Sequence, residues 1–422
     1  METLTVTKKS GFDAAVSAPP SKSYSHRYLL SAALGKTPVR IQNVLFSKDI
    51  LATLDCLSGL GAAVKKEARA VTVCGGGVPG TDVFDCGESG STLRFLIPIL
   101  AVLGVRAHIT GRASLLRRPI DAYLSLFDQA GVSYRYTPGS GLTLTGRLCG
   151  GDYKMAGDVS SQYITGMLYA LPLAQRDSTL TLTTPLLSRP YVDITLDVLK
   201  NSGITILHDQ YQKFYIPGNQ TYRLPDTQVE GDYSQAAVFA AAGVLGGRAV
   251  ISGLRIHSKQ GDAAVLDFFK AMGGQIAQAD GVVTAQHASL TGGIFDVSNC
   301  PDIAPILALV CAAAKGKSVL TGTSRLRVKE SDRVLSTLST LKSLGAEAFA
   351  DENTITILGG THFLGCRAET FNDHRIAMML CAAATVADGP VTLLDPKCVE
   401  KSYPTFYTDF APFVSSMKGG TR

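Results

Sequence analysis

The stretch GESGSTLRFLIPILAVLG, residues 87–104, opens on glycine, serine and an acid and then runs as a nearly all-apolar body of helical length. Five other stretches share this form: PSKSYSHRYLLSAALGK from Pro20, GDVSSQYITGMLYALPLA from Gly157, GDYSQAAVFAAAGVLGG from Gly231, CPDIAPILALVCAAAKGK from Cys300 and NDHRIAMMLCAAATVADG from Asn372. Their starts, at 20, 87, 157, 231, 300 and 372, are separated by 67, 70, 74, 69 and 72 residues. After each comes a strand-like run (VRIQNV, RAHITG, TLTLTT, RAVISG, SVLTGT, PVTLLD), a short loop and a second, amphipathic helix. Five of these second helices end in a glycine turn: Leu60-Gly61, Ala130-Gly131, Ser202-Gly203, Met272-Gly273 and Leu344-Gly345. Self-similarity at this period marks one α/β unit repeated six times, with one helix buried on all sides and one exposed along one face.

A helix that is apolar all round needs neighbours all round, so three units would pack their buried helices together behind sheets, giving two domains of three units each. The paired prolines of Ala18-Pro19-Pro20 and the polar stretch Pro225 to Gly231 are the expected crossings between domains. The first strand then belongs with the C-terminal half, and the expected domains are residues 21–227 and residues 1–20 plus 228–422.

Composition agrees with a compact α/β protein. The 422 residues are 45% hydrophobic and 18% charged with 42 glycines, which excludes disordered, collagen-like and coiled-coil classes. Lys+Arg 40 against Asp+Glu 35 leaves a net charge of +5, too mild and too dispersed for a nucleic-acid binder but compatible with small anions. METLTVTKKSGFDAAV begins as an alternating strand without the apolar core of a signal peptide, so a cytoplasmic protein is expected. The longest apolar runs, residues 303–314 and 376–387, are about 12 residues against the roughly 18 of a membrane span. The nine cysteines are scattered with no C-x-x-C or His/Cys cluster, the pattern of reduced thiols rather than of disulfides or a metal site.

The repeat starts carry the chemistry. Gly157-Asp158-Val159-Ser160-Ser161-Gln162 and Gly87-Glu88-Ser89-Gly90-Ser91-Thr92 place hydroxyls, glycines and an amide at helix mouths, where free N–H groups and the helix dipole favour phosphate or carboxylate. Plain N-capping is the alternative for any one of them. Neither is a nucleotide-binding loop. Basic residues gather near these mouths: Lys22 and Arg27, Arg117-Arg118, Arg325 and Arg327 with Lys329 and Arg333, Arg375, and Lys401. Guanidinium forks suit carboxylate and phosphate oxygens, and an ammonium supplies a movable charge. On a helix, Lys329 and Arg333 with Glu330 and Asp332 could also be surface pairs. Asp302 at the entrance of an apolar helix and Glu330 among cations are the candidates for proton transfer. His26 and His374, at two other mouths, read as structural hydrogen bonders.

Together, Pro20-Ser21-Lys22-Ser23-Tyr24-Ser25-His26-Arg27, Gly157-Asp158-Val159-Ser160-Ser161-Gln162-Tyr163, Arg327-Val328-Lys329-Glu330-Ser331-Asp332-Arg333, Asn372-Asp373-His374-Arg375 and Asp395-Pro396-Lys397-Cys398 resemble the signatures of the 5-enolpyruvylshikimate-3-phosphate synthase family, the 3-phosphoshikimate 1-carboxyvinyltransferases. The resemblance runs from residue 20 to about residue 405 in the family's order. It implies a two-domain inverse α/β barrel of six βαβαββ-type units, three per domain. It also implies transfer of an enolpyruvyl group from phosphoenolpyruvate to the 5-hydroxyl of shikimate 3-phosphate (3-phosphoshikimate), releasing phosphate, in the shikimate pathway to chorismate and aromatic amino acids.

Carried over residue by residue, the resemblance implies that Lys22 lies between the substrates and that Ser23 and Arg27 bind shikimate 3-phosphate, Arg27 through its carboxylate. Ser160, Ser161 and Ser188 would cradle the phosphate of that substrate, with Gln162 reaching both. Gly90, Arg118 and Lys401 would hold the phosphate of phosphoenolpyruvate, and Arg333 and Arg375 its carboxylate. Asp302 and Lys329 would contact the shikimate hydroxyls. Lys22, Asp302 and Glu330 form the catalytic set: Asp302 takes the proton of the attacking hydroxyl, and Glu330 protonates the methylene carbon. A dry array of cations around an oxocarbenium-like centre suits two multiply anionic substrates and calls for no metal or organic cofactor. A monomer and domain closure on substrate are expected.

Two positions depart from the pattern. Glu88-Ser89-Gly90-Ser91 stands where many members have Asn-Ala-Gly-Thr, adding an acid beside the expected phosphoenolpyruvate pocket, and Arg325 stands where some use an Asn against shikimate 3-phosphate. Arg325 is therefore left out of the site. The nearest rival reading is the enolpyruvyl transferase acting on UDP-N-acetylglucosamine, which usually carries a reactive Cys before the Arg-Pro of the second unit. Here Gly111 to Pro119 contains none. A non-enzymatic repeat protein binding polyanions would need an extended basic stripe with stacking aromatics, and the chain has no Trp.

Overall fold

The computed structural model describes residues 2–421 and contains six four-stranded sheets, all of one topology. In the second unit the strand Val83–Asp85 runs parallel to Ala107–Thr110, which pairs antiparallel with Gly141–Leu144, which in turn pairs antiparallel with the edge strand Tyr134–Thr137. A helix follows each of the first two strands, giving βαβαββ. The parallel pair needs a crossover, and the buried helix supplies it.

Chain ends complete two of the remaining sheets and a mid-chain strand completes a third. Asp13–Ser17 is the leading parallel strand beside Arg248–Ser252, Thr227–Gln228 plays that part beside Val39–Gln42, and Glu2–Lys8 lies between Asp388–Leu394 and Val414–Thr421. The chain divides into two compact units, Met1–Pro19 with Glu230–Arg422, and Pro20–Val229.

Six helices follow the polar repeat starts: α1 (Lys22–Leu34), α2 (Gly90–Leu103), α3 (Ser161–Ala170), α4 (Tyr233–Gly246), α5 (Ala304–Ala313) and α6 (His374–Ala383). Every residue of α6, and every residue of α4 except Gly246, is buried, as an unbroken apolar surface requires. In the unit holding residues 230–422, α4, α5 and α6 pack against one another. In the unit 20–229, α2 packs on α3, and at Gly166 the contact leaves no room for a side chain: a Cβ would stand 2.5 Å from the Arg94 carbonyl. The glycines at 61, 131, 203, 273 and 345 all adopt positive φ and end the second helices.

The sixth unit departs from the repeat. Where the pattern predicts an amphipathic second helix, the chain forms a 3-10 helix, Pro396–Lys401, and a short helix, Phe406–Phe410. Prolines at 396, 404 and 412 leave no uninterrupted run long enough for a stable helix. Phe406, Phe410 and Phe413 instead pack on Phe239 of α4, with ring centroids 5.3 to 6.1 Å away. No helix is long and apolar enough to cross a membrane among the described residues.

Candidate active site

In the unit 20–229 the mouths of α1, α2 and α3 carry the predicted anion-binding residues. Ser21 caps α1 by accepting from Tyr24 N, and Lys22, in its first turn, pairs with Asp49 at 2.9 Å. One turn further on, Arg27 is 3% exposed and donates only to neutral groups: Thr195 Oγ1 at 2.8 Å, Ser23 O at 2.9 Å, Tyr191 O at 2.9 Å and Thr165 Oγ1 at 3.3 Å. Its guanidinium lies 5.2 Å from the Phe95 ring centroid. Among the described residues no carboxylate pairs with it. Burial pushes its pKa down to about 10, which leaves it cationic at neutral pH. A buried, uncompensated cation is costly unless an anion completes it.

Gly90 is the first residue of α2, capped by Ser89, and cations stand over it. A Cβ built there would lie 2.8 Å from Arg94 Nη1, 3.1 Å from Arg118 Nη1 and 3.6 Å from Gln162 Oε1. Arg94 was not singled out by the sequence reading, yet it is buried, donates to Gln162 Oε1 at 2.9 Å and lies 5.3 Å from the Tyr163 ring centroid. Its position is set by a local defect. Pro98 has no N–H to give the Arg94 carbonyl four residues back, and the Tyr123 hydroxyl, 2.6 Å away, hydrogen-bonds to that carbonyl instead.

Gln162 joins the mouths of α2 and α3, accepting from Arg94 and donating to Ser91 Oγ at 3.0 Å. Ser160 caps α3 through Gln162 N at 3.3 Å, and Ser161 is buried in its first turn. Ser188 precedes the helix Arg189–Asn201 at φ 53°, a strained conformation for a residue with a Cβ. Glu88 accepts from Ser114 Oγ at 3.0 Å.

The unit holding residues 230–422 contains the acids. Arg333 opens the helix Arg333–Ser343 and is 1% exposed, with its fork filled by carboxylates: Asp302 Oδ1 at 2.7 Å, Glu330 Oε2 at 2.8 Å and Asp373 Oδ2 at 2.9 Å. The surface-pair reading of this segment therefore fails. Asp302, in the 3-10 turn before α5, also meets Lys329 at 3.4 Å and Arg375 at 3.6 Å. Burial favours its neutral form, but Lys329, Arg333 and Arg375 together outweigh burial and hold it well below the usual carboxylate range. Burial lowers Lys329, and Asp302 only partly offsets that. Arg333 moves the other way, because Asp373, Glu330 and Asp302 outweigh its desolvation.

Arg375, at the mouth of α6, donates to Ser234 O at 2.9 Å and Ser234 Oγ at 2.6 Å, tying it to the mouth of α4. Lys401 ends the 3-10 helix Pro396–Lys401, buried and without an ion-pair partner among the described residues.

The sequence reading missed Asp49, Arg94, Asp373 and Ser234. A lone Arg within the otherwise apolar run after Gly90 was the available signal for Arg94; the others needed the fold to bring separate repeat starts together. His26 is buried with Nδ1 2.8 Å from Thr53 Oγ1, and burial pushes its pKa down to about 3, so it stays neutral. His374 is likewise buried at the mouth of α6.

Residues 6–410 match the family model for EPSP synthase (3-phosphoshikimate 1-carboxyvinyltransferase). The chain is 40% identical to the 3-phosphoshikimate 1-carboxyvinyltransferase of Clostridium botulinum (strain Eklund 17B / Type B), over 94% of each chain. It is 38% identical to that of Clostridium perfringens (strain ATCC 13124), over 99% of each. Among solved structures, an EPSP synthase from Acinetobacter baumannii superposes with a TM-score of 0.83 at 25% identity over 100% of both chains. The enolpyruvyl transferase NikO from Streptomyces tendae does so with a TM-score of 0.80 at 20% identity, covering 100% of this chain and 99% of that one, and shows the shared fold.

Proposed function

Because the chain belongs to the EPSP synthase family, we propose that its two clusters divide the work of that family's reaction between anion binding and proton transfer. The activity is 3-phosphoshikimate 1-carboxyvinyl transfer: phosphoenolpyruvate and shikimate 3-phosphate give the enol ether and phosphate, a step in aromatic amino acid biosynthesis. Each substrate brings one phosphate and one carboxylate, so the protein must neutralise four anionic groups.

The observation that carries the assignment is the unequal pairing of cations. Arg27, Arg94 and Arg118 have no carboxylate partner among the described residues, whereas Arg333 has three. The first group is prepared for phosphates and for the shikimate carboxylate. Ser160, Ser161 and Ser188 take the phosphate of shikimate 3-phosphate, Arg27 and Ser23 its carboxylate side, and Gln162 reaches both substrates. Gly90, Arg118 and Lys401 take the phosphate of phosphoenolpyruvate, with Arg94 added to that set.

Arg333 and Arg375 take the carboxylate of phosphoenolpyruvate. Asp302, ionised beside three cations, is ready to accept the proton of the 5-hydroxyl while Lys329 contacts the hydroxyls. The oxygen attacks C2 of the enol and Glu330 delivers a proton to the methylene carbon, giving a tetrahedral ketal phosphate. Return of a methyl proton to Glu330 and departure of phosphate, which carries off the proton taken by Asp302, restore the double bond. Lys22, paired with Asp49 at 2.9 Å, supplies positive charge beside the developing oxyanions. The two compact units act as domains in this proposal, and the enzyme works as a monomer, as the family resemblance implies, in the cytoplasm, as the amino-terminal sequence suggests.

Purified protein given shikimate 3-phosphate and phosphoenolpyruvate releases phosphate, and Arg27→Ala raises KM for shikimate 3-phosphate far more than KM for phosphoenolpyruvate. Turnover with UDP-N-acetylglucosamine in place of shikimate 3-phosphate, or equal effects of Arg27→Ala on both KM values, overturns the assignment.

A further inference from the structure

Gly90 and Arg118 lie on two loops that leave the parallel strands Val83–Asp85 and Ala107–Thr110 side by side. Backbone bonds carry the pairing past the strand ends: Cys86 N donates to Thr110 O at 2.9 Å and Arg112 N to Gly87 O at 2.7 Å. At Gly111 the loops touch, since a Cβ there would stand 2.7 Å from Gly87 O. Among the described residues the next link is between side chains, with Ser114 Oγ donating to Glu88 Oε1 at 3.0 Å.

Each partner of that bond is tied closely to one side of the proposed phosphate site. Glu88 stands in a turn closed by Ser89 N on Cys86 O at 2.9 Å, with Gly87 at φ 57°. Ser89 then caps α2, and Gly90 is its first residue. Ser114 lies in the short helix Ala113–Leu116, one turn before Arg118, whose N–H donates to Leu115 O at 3.0 Å. Leu115 and Leu116 are buried and anchor that helix. Arg118 Nη1 comes within 3.1 Å of where a Cβ on Gly90 would stand.

Glu88 is an acid facing a loop that carries Arg112, Arg117 and Arg118, yet among the described residues it pairs with no cation and accepts from a serine instead. A hydroxyl donating to a carboxylate makes a charge-assisted bond, stronger than one between neutral groups. Arg118 is therefore left for a ligand, and the backbone that carries it is held.

We propose that Glu88 and Ser114 are positioning residues: their hydrogen bond fixes the Arg118 loop against the mouth of α2, so that the phosphate of phosphoenolpyruvate meets Arg118 and the Gly90 N–H already in place. This rests on the reading of Gly90 and Arg118 as holders of that phosphate. Neither Glu88 nor Ser114 touches substrate in this role. A preset loop spares the ordering cost that a mobile one would pay on binding. The sign of the effect separates this role from simple charge. An acid beside a phosphate repels it, so if charge alone mattered, removing Glu88 would tighten phosphoenolpyruvate binding; as a latch, its removal weakens binding.

The test is steady-state kinetics with each substrate varied in turn, on Glu88→Ala, Ser114→Ala, the double variant and Glu88→Gln. Glu88→Ala and Ser114→Ala should each raise KM for phosphoenolpyruvate about threefold to tenfold, and the double variant should be no worse than the worse single, because one bond is lost in all three. In both, kcat and KM for shikimate 3-phosphate should stay within about twofold of wild type. Glu88→Gln, whose amide oxygen still accepts from Ser114, should do the same for all three constants. A lower KM for phosphoenolpyruvate in Glu88→Ala, an unchanged one in Ser114→Ala, rises that multiply in the double variant, or failure of the Gln variant to rescue overturns the proposal. If Glu88→Ala does not fold, Ser114→Ala against Ser114→Thr, which keeps the donor, makes the same comparison. Arg118→Ala separates the premise: an unchanged KM for phosphoenolpyruvate refutes the phosphate site, whereas a raised KM there with Ser114→Ala unchanged refutes only the latch.

Discussion

Gly90 shows how little room the proposed anion site leaves. A Cβ there would stand 2.8 Å from Arg94 Nη1 and 3.1 Å from Arg118 Nη1, so both cations must move. Gly90→Ala should raise KM for phosphoenolpyruvate about tenfold, equivalent to about 1.4 kcal/mol, with a smaller change in kcat. Steady-state kinetics with each substrate varied in turn reads this directly. His26 gives a second prediction at this scale. The unfolded chain takes up a proton at the ordinary histidine value of 6.5, whereas the folded chain does so only at about 3. The stability tied to neutral His26 is therefore complete above pH 6.5 and is lost as pH falls toward 3, at about 1.4 kcal/mol per pH unit. His26→Asn, which keeps a polar group for Thr53, should flatten that acid limb in urea titrations at several pH values; an unchanged limb refutes the assignment. The sequence reading set both histidines aside, and it placed Arg27 in the site by resemblance. It could not see that Arg27 has no carboxylate partner among the described residues while Arg333 has three, because Asp302 is 31 residues and Asp373 is 40 residues from Arg333.

At the scale of elements, α2 depends on Tyr123. Its hydroxyl supplies the hydrogen bond that Pro98 denies the Arg94 carbonyl, in the turn from which Arg94 reaches Gly90 and Gln162. Tyr123→Phe leaves that buried carbonyl unsatisfied and should cost about 1–3 kcal/mol in denaturant unfolding, with a rise in KM for phosphoenolpyruvate. No stability loss would mean that water or a shifted backbone fills the role. The buried helices were legible because an all-apolar surface admits only burial, and the glycine turns because positive φ favours a residue without a Cβ. The absent second helix of the sixth unit was foreshadowed by Pro396, Pro404 and Pro412, but the repeat itself argued for a helix there. Local proline chemistry prevailed over the pattern. Which helix mouths face one another was not legible, since Gln162 and Arg94 are 68 residues apart and periodicity fixes spacing, not contact.

For the whole molecule, the amino-terminal strand closes a sheet rather than trailing from it. Glu2–Lys8 pairs on both sides, with Asp388–Leu394 and with Val414–Thr421, and Val6 is fully buried. Removing residues 2–8 should leave two unpaired strand edges and lower the melting temperature or abolish soluble expression; a full-stability truncation would contradict the sheet order. The family gives the overall reaction, and in the proposed mechanism proton transfer depends on two acids gathered around Arg333. The most direct test is phosphate release from shikimate 3-phosphate and phosphoenolpyruvate by wild type, Asp302→Ala and Glu330→Gln. Each variant should turn over at least about a hundredfold more slowly than wild type while remaining folded. Near-normal rates from either would remove that acid from the chemistry and contradict the account.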